Sequence, residues 1–189
     1  MDELELIEHC KRGDLRSFNC LVQMYQTQVY NVALRFVGNA QAAEDATQEA
    51  FISAFKGIRS FRGGSFRAWL LRITANASRD LLRSMKRRPT LSLDSPSIDP
   101  GNITSNTESV EGQVLRREVG EVIGRGLAQL PADQRLAVIL CDIQGLSYEE
   151  MAQAMGCSLG TVKSRLSRGR AQLRDYLVQQ GTFPTTKPS

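Results

Sequence analysis

Residues Ser147 to Arg170 read SYEEMAQAMGCSLGTVKSRLSRGR, a spacing that predicts two short helices joined by a sharp turn. Ser147 stands three residues before Glu150, the capping-box spacing in which each side chain satisfies a backbone N–H at a helix start. Met151, Ala152 and Met155 supply one apolar face. Gly156 sits where a left-handed turn residue is needed, and Ser158 is placed to cap a second helix from Leu159 toward Val178. Stepping roughly 100° per residue from Lys163, the residues Leu159, Val162, Leu166, Leu173 and Leu177 fall in one arc. Lys163, Ser164, Ser167 and Arg168 fall in another, about 130° away. One face packs; the other offers donors in the first turns of the second helix, where a recognition helix meets base edges. The pattern is that of a helix-turn-helix. Its alternative is an ordinary helical pair with a solvated basic face.

Immediately upstream, Pro131 suits the first turn of another helix whose Leu136, Ile139, Leu140 and Ile143 pack before Gly145 ends it. Val114, Leu115, Val119, Val122, Ile123, Leu127 and Leu130 predict one more helix, weakened by Gly120, Gly124 and Gly126. A C-terminal domain therefore begins near Val110. From Thr90 to Ser109 the composition changes to Ser, Asp, Pro, Gly, Asn and Thr with almost no periodic apolar signal, which reads as a flexible linker. Fully extended, it would reach on the order of 65 Å, about two turns of duplex. After Gly181 a short Thr/Pro tail is expected to be disordered.

Before the linker, Leu15, Phe18, Leu21, Val22, Tyr25, Val29, Val32, Ala33 and Phe36 recur at helical spacing and read as core. A helix from about Gln41 to Lys56 turns Ala43, Ala46, Ala50, Phe51, Ala54 and Phe55 inward and Glu44, Asp45, Gln48 and Glu49 outward. Asp45 and Glu49, four apart, repel by a few tenths of a kcal/mol, which a basic protein partner would relieve. A solubilising acidic face is the plainer alternative. After the loop FRGGS at Phe61–Ser65, Ser65 can cap a helix to about Arg87. Taking Arg72 as zero, Asn76, Arg79, Arg83 and Lys86 return within roughly 40°, a cationic rail suited to phosphates. Between Arg59 and Arg88 nine basic residues stand against one acid, Asp80. Phe61 in the preceding loop and Asn76 within the rail offer stacking and hydrogen bonding to an unstacked base. Core packing is an equal alternative for Phe61.

The fold class expected from these patterns is all-α: two small helical domains, residues 1–89 and 110–180, joined by the linker 90–109 and followed by the tail 181–189. The net charge of +4 and pI near 9.0 are compatible with a polyanionic partner. The four cysteines are scattered without a C-x-x-C pair, and His9 is the single histidine, so neither a metal site nor a cofactor is expected. An enzyme, for instance a nuclease with acidic metal ligands, would lack a histidine or a phosphate-binding loop at its carboxylates. No signal-type apolar run and no stretch of about 20 apolar residues is visible, so a cytoplasmic chain without direct membrane insertion is expected.

Three motifs in this order, AAEDATQEAFISAF at 42–55, SFRGGSFRAWLLRITANASRDLLR at 60–83 and GLSYEEMAQAMGCSLGTVKSRLSRGRAQL at 145–173, resemble the extracytoplasmic-function group of sigma factors, the promoter-recognition subunits of bacterial RNA polymerase. The resemblance covers about residues 6–178. It implies that Asp45, Gln48 and Glu49 dock on the clamp helices of the RNA polymerase core enzyme. It further implies that Phe61, Asn76 and the rail of Arg72, Arg79 and Arg83 engage the minus-ten promoter element. Lys163, Ser164, Arg165 and Arg168 match positions that contact the minus-thirty-five element. Arg165 lies off the donor arc, where a phosphate contact is expected. Ser167 is often larger in relatives and the FRGGSF loop is short, so the preferred bases stay open. An anti-sigma factor wedged between the domains is a common partner of the group. The rival reading is a helix-turn-helix repressor binding duplex DNA as a dimer, in which the acidic helix and the linker have no role.

Overall fold

The computed structural model describes residues 2–87 and 110–181, with side chains described from 118 onward in the second segment. The expected linker and the tail beyond Gly181 lie outside these residues. Every regular element among the described residues is helical.

Helix α1 (Glu3–Lys11) opens on a capping box between Asp2 and Glu5, a signal present in the local sequence. Helix α2 (Leu15–Val37) is capped by Asp14 and closed by Gly38 in the left-handed conformation. Helix α3 (Ala40–Gly57) starts at Asn39, whose side chain accepts from the Ala42 N–H. Its buried face is almost wholly alanine, Ala42, Ala43, Ala46, Ala50 and Ala54, which lets α2 and α3 approach closely. Phe55, expected inside, is part-exposed and meets Phe18 edge-on at 4.9 Å. Helix α4 (Phe66–Arg87) begins where Ser65 Oγ accepts from the Ala68 N–H at 3.2 Å.

In the C-terminal half, α5 (Val110–Gln129) forms despite its glycines. Gly126 explains one of them: a Cβ there would lie 2.7 Å from Leu173 and 2.8 Å from Tyr176, so the missing side chain lets the last helix approach. Helix α6 (Ala132–Val138) follows Pro131 and runs on into a π-helical turn, Ile139–Ile143. Helices α7 (Tyr148–Met155) and α8 (Leu159–Gln179) complete the fold.

The two halves do not stand apart. Helix α4 packs against α2 and α3 and also against α7, while α2 meets α5 and α6. One continuous apolar cluster includes Leu21, Phe36, Phe66, Leu70 and Leu71 from the first half and Leu136, Leu140, Met151, Val162 and Leu166 from the second. Thr74 and Ser78, polar residues of α4, are fully buried, and the Thr74 hydroxyl donates to Leu70 O at 3.0 Å on its own helix. Arg135 ties the halves further by donating to Phe36 O at 2.6 Å, at the carbonyl end of α2, and to Ala128 O at 2.7 Å. The guanidinium lies over the Phe36 ring, 5.6 Å from its centroid.

Candidate nucleic-acid interface

The turn between α7 and α8 is built as the sequence predicts. Ser147 Oγ accepts from the Glu150 N–H at 3.2 Å while Glu150 accepts from the Ser147 N–H at 3.0 Å, the reciprocal capping box. Gly156 takes φ +62 and closes α7 through a bond from its N–H to Ala152 O. Ser158 then accepts from the Thr161 N–H at 3.2 Å to start α8. Val162, Leu166 and Gly169 are buried on one side of α8. Lys163, Ser164, Ser167 and Arg168 are all exposed on the other. The donor arc is thus presented as one accessible face. Ser164 Oγ donates to Thr161 O at 3.0 Å, leaving its lone pairs outward.

The donor face extends beyond Arg168 toward the C-terminal part of α8. Tyr148, Lys163, Ser167, Arg170 and Arg174 line an open groove of about 470 Å³, and the Lys163 Nζ lies 6.0 Å from the Tyr148 ring centroid. Arg170 is clamped by Asp142, which accepts from Nε at 3.0 Å and from Nη2, and that bond raises the arginine's pKa further above its ordinary value. The spacing 163, 167, 170, 174 is a helical stripe, so Arg170 and Arg174 were legible in principle.

Arg165 leaves the arc, as its angle predicts. It is half-buried and forms an ion pair with Asp133 Oδ2 at 2.6 Å.

The rail on α4 is divided among different surroundings. Arg72 is exposed and lies beside the α7–α8 turn, 3.6 Å from where a Gly156 Cβ would stand. Arg79 is half-buried and pairs with Asp133 Oδ1 at 2.7 Å. Arg83 is exposed and reaches Asp80 at 3.4 Å on its own helix. Asn76 is exposed in a groove of about 700 Å³ between α3 and α4 that Asp45 and Glu49 also line. Residues assigned to separate roles in the sequence therefore share one surface. Phe61 departs from the stacking expectation: it is 5% exposed, packed against Phe66 and Trp69 with centroids 5.6 and 5.4 Å away. In this conformation its ring is core, the alternative reading of that residue.

Asp45, Gln48 and Glu49 are exposed together on the outer face of α3, with Glu49 accepting from Ser53 Oγ at 3.0 Å. Among the described residues no group of three or more His, Cys, Asp or Glu side chains is arranged to hold a metal ion. Cys10, packed between α1 and its neighbours, has its thiol pushed up to about 11 by burial. Among the described residues no helix is long and apolar enough to cross a membrane.

Comparison with known proteins assigns each half. The Sigma-70 region 2 family matches residues 21–88 and the Sigma-70 region 4 family residues 121–173. The RNA polymerase sigma-H factor of Pseudomonas aeruginosa is 39% identical over 171 residues, covering 88% of this chain and 89% of that one. The ECF RNA polymerase sigma-E factor of Escherichia coli K12 is 37% identical over 179 residues, covering 92% and 93%. Among solved structures, CnrH in complex with the cytosolic domain of CnrY superposes with a TM-score of 0.67 at 25% identity, covering 92% of this chain and 96% of that one. The sigma factor RpoE of Bartonella quintana, in complex with the anti-sigma factor NepR, gives 0.66 at 28% identity, covering 86% and 98%. A duplex-binding repressor gains no support from a match that spans α2 to α4 as well as the helix-turn-helix. With region 2 carrying an acidic face and a basic helix, and region 4 carrying an exposed row of donors, the chain belongs to the ECF sigma factors of bacterial RNA polymerase.

Proposed function

We propose a division of labour along the chain in which residues 1–89 bind core enzyme and the minus-ten element, 90–109 connect, and 110–180 read the minus-thirty-five element. The outward row Asp45, Gln48 and Glu49 carries the docking on the polymerase clamp. Like charges four apart on an exposed helix are a small cost alone and an asset against a basic partner. This row is the observation on which the reading most depends, because a protein acting on DNA alone has no use for it.

Lys163, Ser164, Ser167 and Arg168 read base edges in the major groove, with Arg168 suited to the paired acceptors of guanine. Arg165 contacts phosphate. Arg72, Asn76, Arg79 and Arg83 track the strand at the minus-ten element, and Phe61 stacks on an extruded base once its loop opens. The chain brings no catalytic site of its own and works in the cytoplasm. An anti-sigma factor holds it inactive; the structural relatives with CnrY and NepR supply the analogy.

Asp45→Arg tests the docking assignment. The variant should lose co-purification with core RNA polymerase while keeping its helical content; undiminished co-purification would sink the assignment.

A further inference from the structure

The π-helical turn Ile139–Ile143 closes with the Gln144 N–H reaching back five residues to Ile139 O at 3.0 Å. Such wide turns re-aim the side chains they carry and recur at functional sites. Here Ile139 and Leu140 stay in the core while Asp142 meets Arg170 of α8. The carboxylate accepts from Arg170 Nε at 3.0 Å and from Nη2, and Cys141 Sγ accepts from Nη2 at 3.5 Å. Nη1 makes no hydrogen bond among the described residues. One edge of the guanidinium is held and the other is offered.

Fold stability does not account for this pair. Arg170 keeps 49% and Asp142 36% of its side-chain exposure, and ion pairs in contact with solvent contribute little. What the pair achieves is order: a long side chain that would otherwise sample many rotamers is fixed before a ligand arrives. The groove beside it selects an anion, because its lining includes Lys163, Arg170 and Arg174 with Ser167 and Tyr148, and no carboxylate. Lys163, Ser167, Arg170 and Arg174 form one stripe of α8, so the groove continues the donor face. Seven residues separate Lys163 from Arg170, about 10 Å along the helix, against a major groove about 12 Å wide. With the first turns of α8 on base edges, Arg170 arrives at the wall of the groove, where the backbone runs.

We infer that Asp142 is a positioning residue for promoter binding: it holds Arg170 so that the free edge of the guanidinium seats one backbone phosphate and fixes the register of α8 in the major groove. The inference rests on the reading of α8 as the minus-thirty-five helix. A phosphate contact carries no sequence information of its own. Its effect on recognition is to set Lys163, Ser164, Ser167 and Arg168 over their bases.

The test compares holoenzymes assembled from core RNA polymerase and each variant, binding a labelled promoter fragment over a salt series. Arg170→Met keeps the stem and removes the charge. It should weaken binding severalfold, equally on fragments substituted at each minus-thirty-five position, and lower the log–log salt slope by about 0.9, the worth of one phosphate. Asp142→Asn keeps the shape and removes the carboxylate, and the two roles open to Asp142 predict opposite signs. A carboxylate that only neutralises Arg170 leaves a freer cation when removed, so affinity would hold or rise. A positioning carboxylate leaves Arg170 disordered, so affinity falls severalfold although the chain has gained positive charge. In the Arg170→Met background Asp142→Asn should then have no further effect, whereas a defect of folding would lower binding there too. Binding by Asp142→Asn equal to or tighter than the parent overturns the positioning role, as does an equal loss in the Arg170→Met background. Unchanged affinity and slope in Arg170→Met remove the phosphate seat. If Arg168→Ala still loses discrimination at one base pair in that case, the reading of α8 stands without the seat; if it does not, both fall.

Discussion

Arg165 and Arg168 stand three residues apart on α8, yet one is tied to Asp133 and the other is free to solvent on the donor face. Helical angle alone separates them, which is why the distinction was legible in the sequence. The partner of Arg165 was not, because Asp133 lies on another helix and no local spacing connects the two. Phe61 illustrates the same boundary: an aromatic in a glycine-rich loop is equally suited to a base or to a core, and only the positions of Phe66 and Trp69 decide which it meets here. Arg168→Ala should lower discrimination at one base pair of the minus-thirty-five element by roughly 1–3 kcal/mol. Transcription from a panel of promoters substituted one position at a time would check it; an equal loss on every promoter would make Arg168 a phosphate contact instead.

At the level of elements, periodicity located most of the helices to within a residue or two. Ser65, Ser147 and Ser158 were readable as the caps of α4, α7 and α8, whereas the Asn39 cap of α3 is seen only in the structure. The glycines of α5 argued against a helix on propensity, and tertiary contact overrode that preference because α8 needs the space at Gly126. Gly169 performs the matching task on α8: an added Cβ would come 2.9 Å from Val138 and 3.0 Å from the Gln134 carbonyl. Val138 and Gln134 both lie on α6, and a backbone carbonyl cannot swing aside. Gly169→Ala should therefore destabilise the C-terminal half by about 1–3 kcal/mol despite alanine's better helix propensity, through forced separation of α6 and α8. Urea unfolding followed by circular dichroism gives the sign; a stabilised variant would mean that the two helices can part at little cost. The π-helical turn at Ile139–Ile143 had no signal in the sequence, since its apolar spacing is that of an ordinary helix.

For the whole molecule, the sequence spoke to two helical domains but not to how they meet. Apolar residues at α2, α4 and α7 were readable as core, without any mark of whose core they complete. Polar groups now stitch that contact, and Glu150 is one of them. Its carboxyl is held below the usual range chiefly by the Ser147 backbone N–H, against burial, with further lowering from the hydroxyls of Ser65 and Ser147 and the charge of Arg67. A depressed carboxyl contributes stability above its unfolded value near 4.5, and that contribution is lost as pH falls through the lower folded value. Glu150→Gln should thus be less stable than the parent at pH 6, with the difference closing as the pH is taken below about 4. Thermal unfolding at both pH values measures this; a difference that persists in acid would assign the loss to shape rather than charge.

The family assignment unites these scales, since the acidic face of α3 and the donor face of α8 serve one purpose only if polymerase holds them together on a promoter. In vitro transcription with purified chain and bacterial core enzyme on genomic promoter fragments, followed by start-site mapping, tests this most directly. Discrete starts that require both components and lie downstream of two common sequence elements are the expected result. Tight binding to an operator by the chain alone, with no start site gained on adding core enzyme, would contradict it.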